Sequence, residues 1–430
     1  MQIRTKMKIL WLCNGCVSSA SMEYGIENGG ISWIDSILEA ITKQDTINLS
    51  VAFPITSDEK VVKKEKNKVQ YYGFLKKKDN PTIYDNEIET IFESIIKEIQ
   101  PDIVHIFGTE FPHTLSMVRI CNKLGIGNRV IISIQGLCYY IARHYCASLP
   151  MNIVKKYTFR DLLKHDNIQQ QQRAFEIRGE YEKEALRSVR HVIGRTEWDK
   201  ACVKQLNKEV QYYKCNENMR ESFYMNQWAL EKCERHSIFI SQSYYPLKGF
   251  HHVLEAAAII KRYYKDIKVY TTGTDVFELT KIEKVKESSY SSYIRSLICQ
   301  YGLRDNVKFL GYLSEGEMCE RYLKSHVFVS ASSIENSSNS VAEAMLLGMP
   351  IVASAVGGVP DMLEDRKEGF LYQSDASYML AHYIMKMFDN DEIAKEYGLA
   401  ARKRALYAHD RDLNNQKLVE IYEKVVEECR

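Results

Sequence analysis

Residues 328–363 read FVSASSIENSSNSVAEAMLLGMPIVASAVGGVPDML, and the rest of the chain is organised around them. A short apolar run, Val327 to Val329, leads into a polar loop holding Glu335 and a Ser/Asn cluster, after which a helix-forming segment begins. Asn339 or Ser340 is placed to cap that helix, Glu343 falls in its first turn, and Gly348 followed by Pro350 stops it. A second strand, Ile351 to Ala355, runs to Gly357, Gly358 and Pro360, which put a glycine-rich turn at the start of another short helix. Strand, loop and helix in this alternation belong to a parallel α/β sheet. Each helix N-terminus offers free backbone N–H groups and the positive end of a macrodipole to an anion.

Glu335 and Glu343, with seven residues between them, suit a ligand that carries hydroxyls beside phosphates, because carboxylates accept hydrogen bonds from vicinal hydroxyls. Either glutamate alone reads as an ordinary solvated acid. The ordered set is specific: Glu335, Glu343, Ala344, Gly348, Pro350 and the turn Gly357-Gly358-Val359-Pro360-Asp361 resembles the signature of glycosyltransferase family 4. The resemblance implies a retaining enzyme of GT-B fold, with two Rossmann-like domains facing each other across a cleft and a C-terminal helix crossing back to the first domain.

At 430 residues, 45% hydrophobic and 27% charged, the chain exceeds one ordinary core, and two domains are expected. A net charge of +2 argues against nucleic acid as the main partner. The charge is uneven: residues 1–215 hold 31 Lys and Arg against 25 Asp and Glu, and the remainder 27 against 31. A mildly basic first half suits anionic headgroups or an anionic acceptor, and equally an ordinary solvated surface. Eleven cysteines are scattered, and the pair Cys13 and Cys16 is half a zinc site at most, so no metal is expected and the thiols read as reduced, in a cytoplasmic protein. The opening MQIRTKMKILWLCNGCV imitates a signal peptide, but its apolar core is short and broken by Asn14 and Gly15, so it reads as the first strand. No apolar stretch approaches the ~20 residues that cross a bilayer, which leaves peripheral contact with the inner face of a membrane.

From the N-terminus, a strand over 8–13 leads to Gly29-Gly30, where a glycine pair lets backbone N–H groups approach a phosphate, and then to a helix from Ile31 to Ile41. Strands at 47–53, 69–74, 102–107 and 129–134 alternate with helices at 85–99 and 112–124, and the Lys-rich pieces VVKKEKNK and LKKKD read as solvated loops. At the end of the fourth of these strands stands Gln135, where family members carry a histidine toward the donor sugar; His144 is a substitute candidate. A helical excursion over 151–190 extends the first domain, and within it Lys155, Lys156, Arg160 and Lys164 beside Ile153, Val154, Tyr157 and Phe159 suit either a membrane surface or packing on the domain itself. The first domain is placed at 1–215, a linker at 216–235, the second domain at 236–410 and the returning helix at 411–430.

In the second domain a strand over 237–241 gives way to the turn Pro246-Leu247-Lys248-Gly249, leaving Lys248 at a helix N-terminus, suited to neutralising a departing pyrophosphate. The family also supplies an arginine five residues earlier; this chain has Ser243 there, and Arg195 of the first domain is the candidate to replace it. Gly273 closes a further strand in a turn that abuts the nucleotide in relatives. By the resemblance, Glu335 and Lys248 are catalytic, Glu343 holds the ribose, and Ser338, Asn339, Ser340, Gly29 and Gly30 face the diphosphate, with Gly273, Gln135 and Arg195 completing the donor site. The expected reaction moves a sugar from a nucleoside-diphosphate sugar, a substrate and not a cofactor, to a glycan or lipid-linked acceptor in bacterial capsular or exopolysaccharide assembly. The rival readings are a catalytically inactive nucleotide-sugar-binding partner of another transferase, and a sugar-nucleotide epimerase.

Overall fold

The computed structural model describes residues 6–26, 34–76, 80–146, 148–280 and 284–429. They form two compact units, one of residues 1–139, 174–218 and 409–430, the other of 140–173 and 219–408.

The first unit is built on eight strands among the described residues: β1 (Met7–Leu12), β2 (Ile47–Ile55), β3 (Val61–Lys66), β4 (Val69–Leu75), β5 (Ile103–Phe107), β6 (Val130–Ser133), β7 (His191–Gly194) and β8 (Gln211–Lys214), in the order β3-β4-β2-β1-β5-β6-β7-β8. All neighbours are parallel except β3, which runs antiparallel to β4. The interior strands are nearly continuous buried apolar runs, as a sheet covered on both faces requires. VVKKEKNK is therefore no loop. Its lysines sit on an edge strand, where charge and solvation discourage pairing with another sheet.

Order reverses at β1, with β2 on one side and β5 on the other, so a crevice opens outside the C-terminal ends of β1 and β5. A short helix, Ser18–Ser21, follows β1, and the helix expected over 31–41 is described over Asp35–Thr42, its first three residues lying with Gly29 and Gly30 outside the described residues. The last helix, Arg411–Glu428, buries Leu418, Ile421, Tyr422 and Val425, one face at helical spacing, in the core of this unit with Trp11, Ile37 and Ile103. Its anchor is polar: the Tyr422 hydroxyl accepts from Trp11 Nε1 at 3.0 Å and meets His105 Nδ1 at 2.6 Å, while His105 Nε2 meets Ser133 Oγ at 2.7 Å. Burial pushes the His105 imidazole down to about 3, so it is neutral and its two nitrogens divide donor and acceptor roles between these hydroxyls.

The second unit holds β9 (Glu234–Ile240), β10 (Lys268–Thr271), β11 (Val307–Phe309), β12 (Ser325–Ser330), β13 (Ile351–Ser354) and β14 (Phe370–Tyr372), all parallel in the order β11-β10-β9-β12-β13-β14. Its order reverses at β9, which places the crevice outside the ends of β9 and β12.

Two boundaries differ from the sequence reading. Residues 219–235 are no linker: Met219, Phe223, Trp228 and Leu230 are buried in the core of the second unit, and Trp228 Nε1 donates to the Ser325 carbonyl at 2.8 Å. The excursion also divides, because 140–173 makes its contacts with the second unit. The buried Asp161 carboxylate accepts from the Ser289 N–H at 3.0 Å, whereas Ala174–Arg187 continues a long helix, Ile168–Arg187, into the first unit.

Replacing Tyr422 by Phe leaves a buried indole N–H and a buried imidazole nitrogen without partners. A loss of about 1–3 kcal/mol is expected, read as a lower urea midpoint by tryptophan fluorescence; an unchanged midpoint would show that the network contributes nothing.

Candidate active site

In the second unit the crevice outside β9 and β12 receives two loops, one carrying Lys248 and the other Glu335. Lys248 ends a one-turn 3-10 helix, Pro246–Lys248, and Gly249 at φ +66° turns the chain into the helix Phe250–Ile260. A Cβ on Gly249 would lie 1.9 Å from the Ala331 carbonyl oxygen, so only glycine lets the lysine turn sit this close to the end of β12. Gly357, at φ +51°, does the same from the other side: its Cβ would lie 1.9 Å from the Glu335 carbonyl oxygen, which accepts from Gly358 N–H at 3.0 Å. Ser333 N–H donates to the Leu247 carbonyl at 2.9 Å, and Ser354 Oγ to the Ser332 carbonyl at 2.6 Å.

The loop 331–338 is thus held on three sides, and the glutamate it carries has one geometry. Glu335 Oε1 accepts from Lys248 Nζ and, at 2.7 Å, from Ser332 Oγ. Both side chains are mostly buried, the lysine one fifth exposed. Burial disfavours the Lys248 ammonium, but the Glu335 carboxylate and the Tyr245 ring, 5.9 Å away, outweigh it and hold the lysine well above its ordinary value. A permanent cation and a carboxylate converge at the sheet's switch point.

Glu343 sits differently from expectation. The helix spans Asn339–Leu347 with Ser338 as its N-cap, which moves Glu343 out of the first turn and into the second. The Ser338 side chain does not cap the helix; its hydroxyl lies 3.0 Å from Ser340 Oγ. Glu343 is buried and paired with Arg220, whose Nη2 and Nε approach Oε1 at 2.6 and 2.8 Å. Burial pushes the Glu343 carboxyl up to about 7 against the pull of Arg220, so the group titrates near neutrality. Arg220 was not singled out from the sequence, since it precedes a five-residue helix, Glu221–Met225, in a stretch without periodicity.

Gly273 stands at the end of β10 at φ +104°, exchanging N–H and carbonyl bonds with Gly311 at 2.8 and 3.2 Å. Ser243 is buried and donates to the Thr272 carbonyl at 3.1 Å, so its hydroxyl ties the β9 and β10 loop ends together. His144 meets the glutamate loop through its backbone: its carbonyl accepts from Ser333 Oγ at 3.0 Å.

The remaining predicted residues are in the first unit. Arg195 is buried, its Nη1 paired with Glu217 at 2.6 Å and its Nη2 donating to the carbonyls of Ile134 and Gln135 at 2.9 and 3.1 Å. Gln135 donates to the other oxygen of Glu217. This guanidinium is committed to bracing the end of β6, so it is not a loose charge free to replace a missing arginine. Nearby, a pocket of about 390 Å³ opens at the ends of β1 and β5, lined by Cys13, Asn14, Glu110, Phe111, Gln135 and Arg178 among others. Glu110 accepts from Asn14 Nδ2 and from Gly136 N–H, each at 2.9 Å, and Arg178 donates to the Glu110 carbonyl at 2.6 Å while stacking over Phe111 and Phe175. No motif announced Glu110 or Arg178; β5 and the long helix bring them together. Burial pushes the Cys16 thiol up to about 12. Among the described residues no cluster of three His, Cys, Asp or Glu side chains stands where a metal ion could sit.

Residues 201–404 match the family model described as glycosyl transferases group 1. The poly(ribitol-phosphate) alpha-N-acetylglucosaminyltransferase of Staphylococcus aureus is 28% identical over 137 residues, 32% of this chain and 27% of that protein. The spore coat protein SA of Bacillus subtilis is 25% identical over 182 residues, 41% of this chain and 46% of that one. The chain therefore spans about a quarter to a half of the length of these curated relatives. Among solved structures, sucrose-phosphate synthase from Thermosynechococcus elongatus superposes with a TM-score of 0.67 at 15% identity, over 98% of this chain and 99% of that one. Anabaena HepE in complex with UDP-glucose gives 0.64 at 15% identity, over 97% and 100%. The fold is GT-B, with two Rossmann-like domains.

A carboxyl raised by burial keeps a proton in the folded state that the unfolded chain releases, so Glu343 costs stability as pH rises from about 4.5 to about 7. Glu343→Gln is expected to remove that slope, changing the difference in unfolding free energy between wild type and variant by on the order of 3 kcal/mol from pH 4 to pH 8. Urea titrations of both proteins across this range check it; parallel pH profiles would place Glu343 as an ionised member of the Arg220 pair throughout.

Proposed function

We propose that this chain is a retaining glycosyltransferase of family 4 type that moves a sugar from a nucleoside-diphosphate sugar to a glycan or lipid-linked acceptor, in bacterial surface polysaccharide assembly. The observation that carries this reading is the convergence of Lys248 and Glu335 outside β9 and β12. As the bond from the sugar's anomeric carbon to the diphosphate oxygen breaks, negative charge builds on that oxygen, and the Lys248 ammonium is fixed where it stabilises such charge without reorganising. Glu335, released from part of its contact with Lys248, accepts hydrogen bonds from the sugar's hydroxyls and orients the ring. Backbone N–H groups of Ser338, Asn339 and Ser340, at the start of the nine-residue helix, receive the diphosphate. Glu343, ionised above neutrality, takes the ribose hydroxyls, with Arg220 setting its orientation. With the cation supplied by a side chain, turnover is expected to need no divalent metal.

A second reading, a nucleotide-sugar-binding partner without transferase activity, is favoured by two particulars: Ser243 offers no guanidinium, and Arg195 is tied to Glu217. Calorimetry and product detection on the same protein separate the two. Binding of UDP-, GDP- or ADP-sugar with no product across an acceptor panel supports the partner.

For the enzyme, Lys248→Ala and Glu335→Gln are each expected to lower kcat/KM by roughly 10²-fold or more in protein that circular dichroism shows folded at the assay temperature, with a lowered thermal midpoint because each leaves a mostly buried charge unpaired. Mass-spectrometric assay of the glycosylated acceptor, with and without EDTA, checks this. Wild-type turnover in both variants overturns the assignment.

A further inference from the structure

The second unit wears one short helix with its apolar side outward. In Phe159–Lys164 the residues Phe159, Leu162 and Leu163 fall at i, i+3 and i+4, the spacing that normally packs one face against a core. Here they are 60%, 57% and 67% exposed. The residue turned inward is the acid: Asp161 is fully buried, and its carboxylate accepts from Thr158 N–H at 3.2 Å, Ser289 N–H at 3.0 Å and Arg160 Nη1 at 3.0 Å. The polarity of this helix is inverted, and a capping box together with the bond to Ser289 anchors it that way. Preceding residues extend the same surface, with Met151 63% and Tyr157 45% exposed.

Charge accompanies the apolar residues. Lys155, Lys156 and Lys164 are exposed among them, and none forms a direct ion pair among the described residues; Lys156 Nζ donates to Ser292 Oγ at 3.3 Å and its charge is felt by the Glu287 carboxyl. Arg160 is already neutralised by Asp161 and by both oxygens of Asp166. Five large apolar side chains interleaved with three exposed ammonium groups match the boundary layer of an anionic bilayer, where apolar groups enter the acyl region and lysines reach the headgroups. A protein partner, a second copy included, would leave those ammonium groups to be desolvated or paired, and a contact centre is usually depleted of lysine.

We infer that residues 151–164 form a docking surface for a bilayer bearing anionic phospholipid. The inference deepens the proposed function, since it rests on a lipid-linked or membrane-proximal acceptor for its purpose, but it is tested without turnover. The three lysines are expected to raise partitioning onto anionic over neutral vesicles by roughly 10²-fold.

The test is co-sedimentation of the full chain with vesicles of phosphatidylcholine alone and of phosphatidylcholine with about one third phosphatidylglycerol. Sedimentation with the anionic vesicles only is expected. It should fall at least tenfold in Phe159→Ser/Leu162→Ser/Leu163→Ser and in Lys155→Gln/Lys156→Gln/Lys164→Gln, with thermal midpoints and donor binding kept, because every altered side chain is exposed. Absence of sedimentation, or sedimentation unchanged in both variants, overturns the inference and leaves the transferase reading intact. Light scattering that shows a dimer which the apolar variant converts to monomer also overturns it, and assigns the surface to a second copy. Loss of turnover in Lys248→Ala has no bearing on vesicle binding, so the two readings fail separately.

Discussion

The candidate site depends on how closely two backbone turns approach one loop. Gly249 and Gly357 each meet a carbonyl of the segment 331–335 at a separation that excludes any Cβ, and both adopt φ values that favour glycine. Between them the loop has no freedom to carry its carboxylate elsewhere, and Glu335 meets Lys248 because the end of β12 and the start of the helix after β9 are pressed together. The conformational cost of holding a loop in one shape is met by packing and hydrogen bonds outside the pair itself. The ion pair is then a consequence of the clamp and not its cause, consistent with the modest net worth of a mostly buried pair after desolvation.

The two glutamates of the signature are held by different physics. Glu335 lies within the loop 331–338, in contact with the Lys248 ammonium. Glu343 is inside a helix, buried, with Arg220 as its counter-charge, and burial brings its titration close to neutrality. A carboxyl poised in this way changes protonation with small changes in its surroundings. Glu182 of the first unit is held in the same way: its carboxyl is also pushed up to about 7 by burial and accepts from Thr109, Cys138 and Tyr139.

Each sheet reverses its strand order at its first strand in sequence, β1 in one and β9 in the other, and in both the polar groups gather outside the strands that flank the reversal. In the second unit these are Lys248 and Glu335; in the first they are Asn14 and Glu110, joined by a hydrogen bond across the ends of β1 and β5. Parallel strands with helices on both faces leave only their C-terminal ends open, so chemistry collects where two loops diverge. The inverted helix at 159–164 is the opposite case: apolar surface placed outside because a buried aspartate, not a leucine, secures it.

Sequence alone determined the alternating parallel α/β pattern, the strands β9, β12 and β13 of the second sheet to within a few residues, and the Lys248 and Glu335 turns, because apolar periodicity and glycine or proline punctuation are local and survive in one dimension, while the short strand β14 escaped it. It misread the Lys-rich edge strand β3, whose pairing with β4 is invisible to composition, and it set the Asn339 helix cap one residue late. Only the tertiary structure decided that 219–235 is core and that 140–173 packs with the second unit, since burial of Trp228 and the reach of Asp161 to Ser289 depend on residues about a hundred positions away. For the same reason it alone paired Arg220 with Glu343, committed Arg195 to Glu217 and gathered Glu110 with Arg178. Charges find partners through space, and no spacing along a chain records which ones fold into reach.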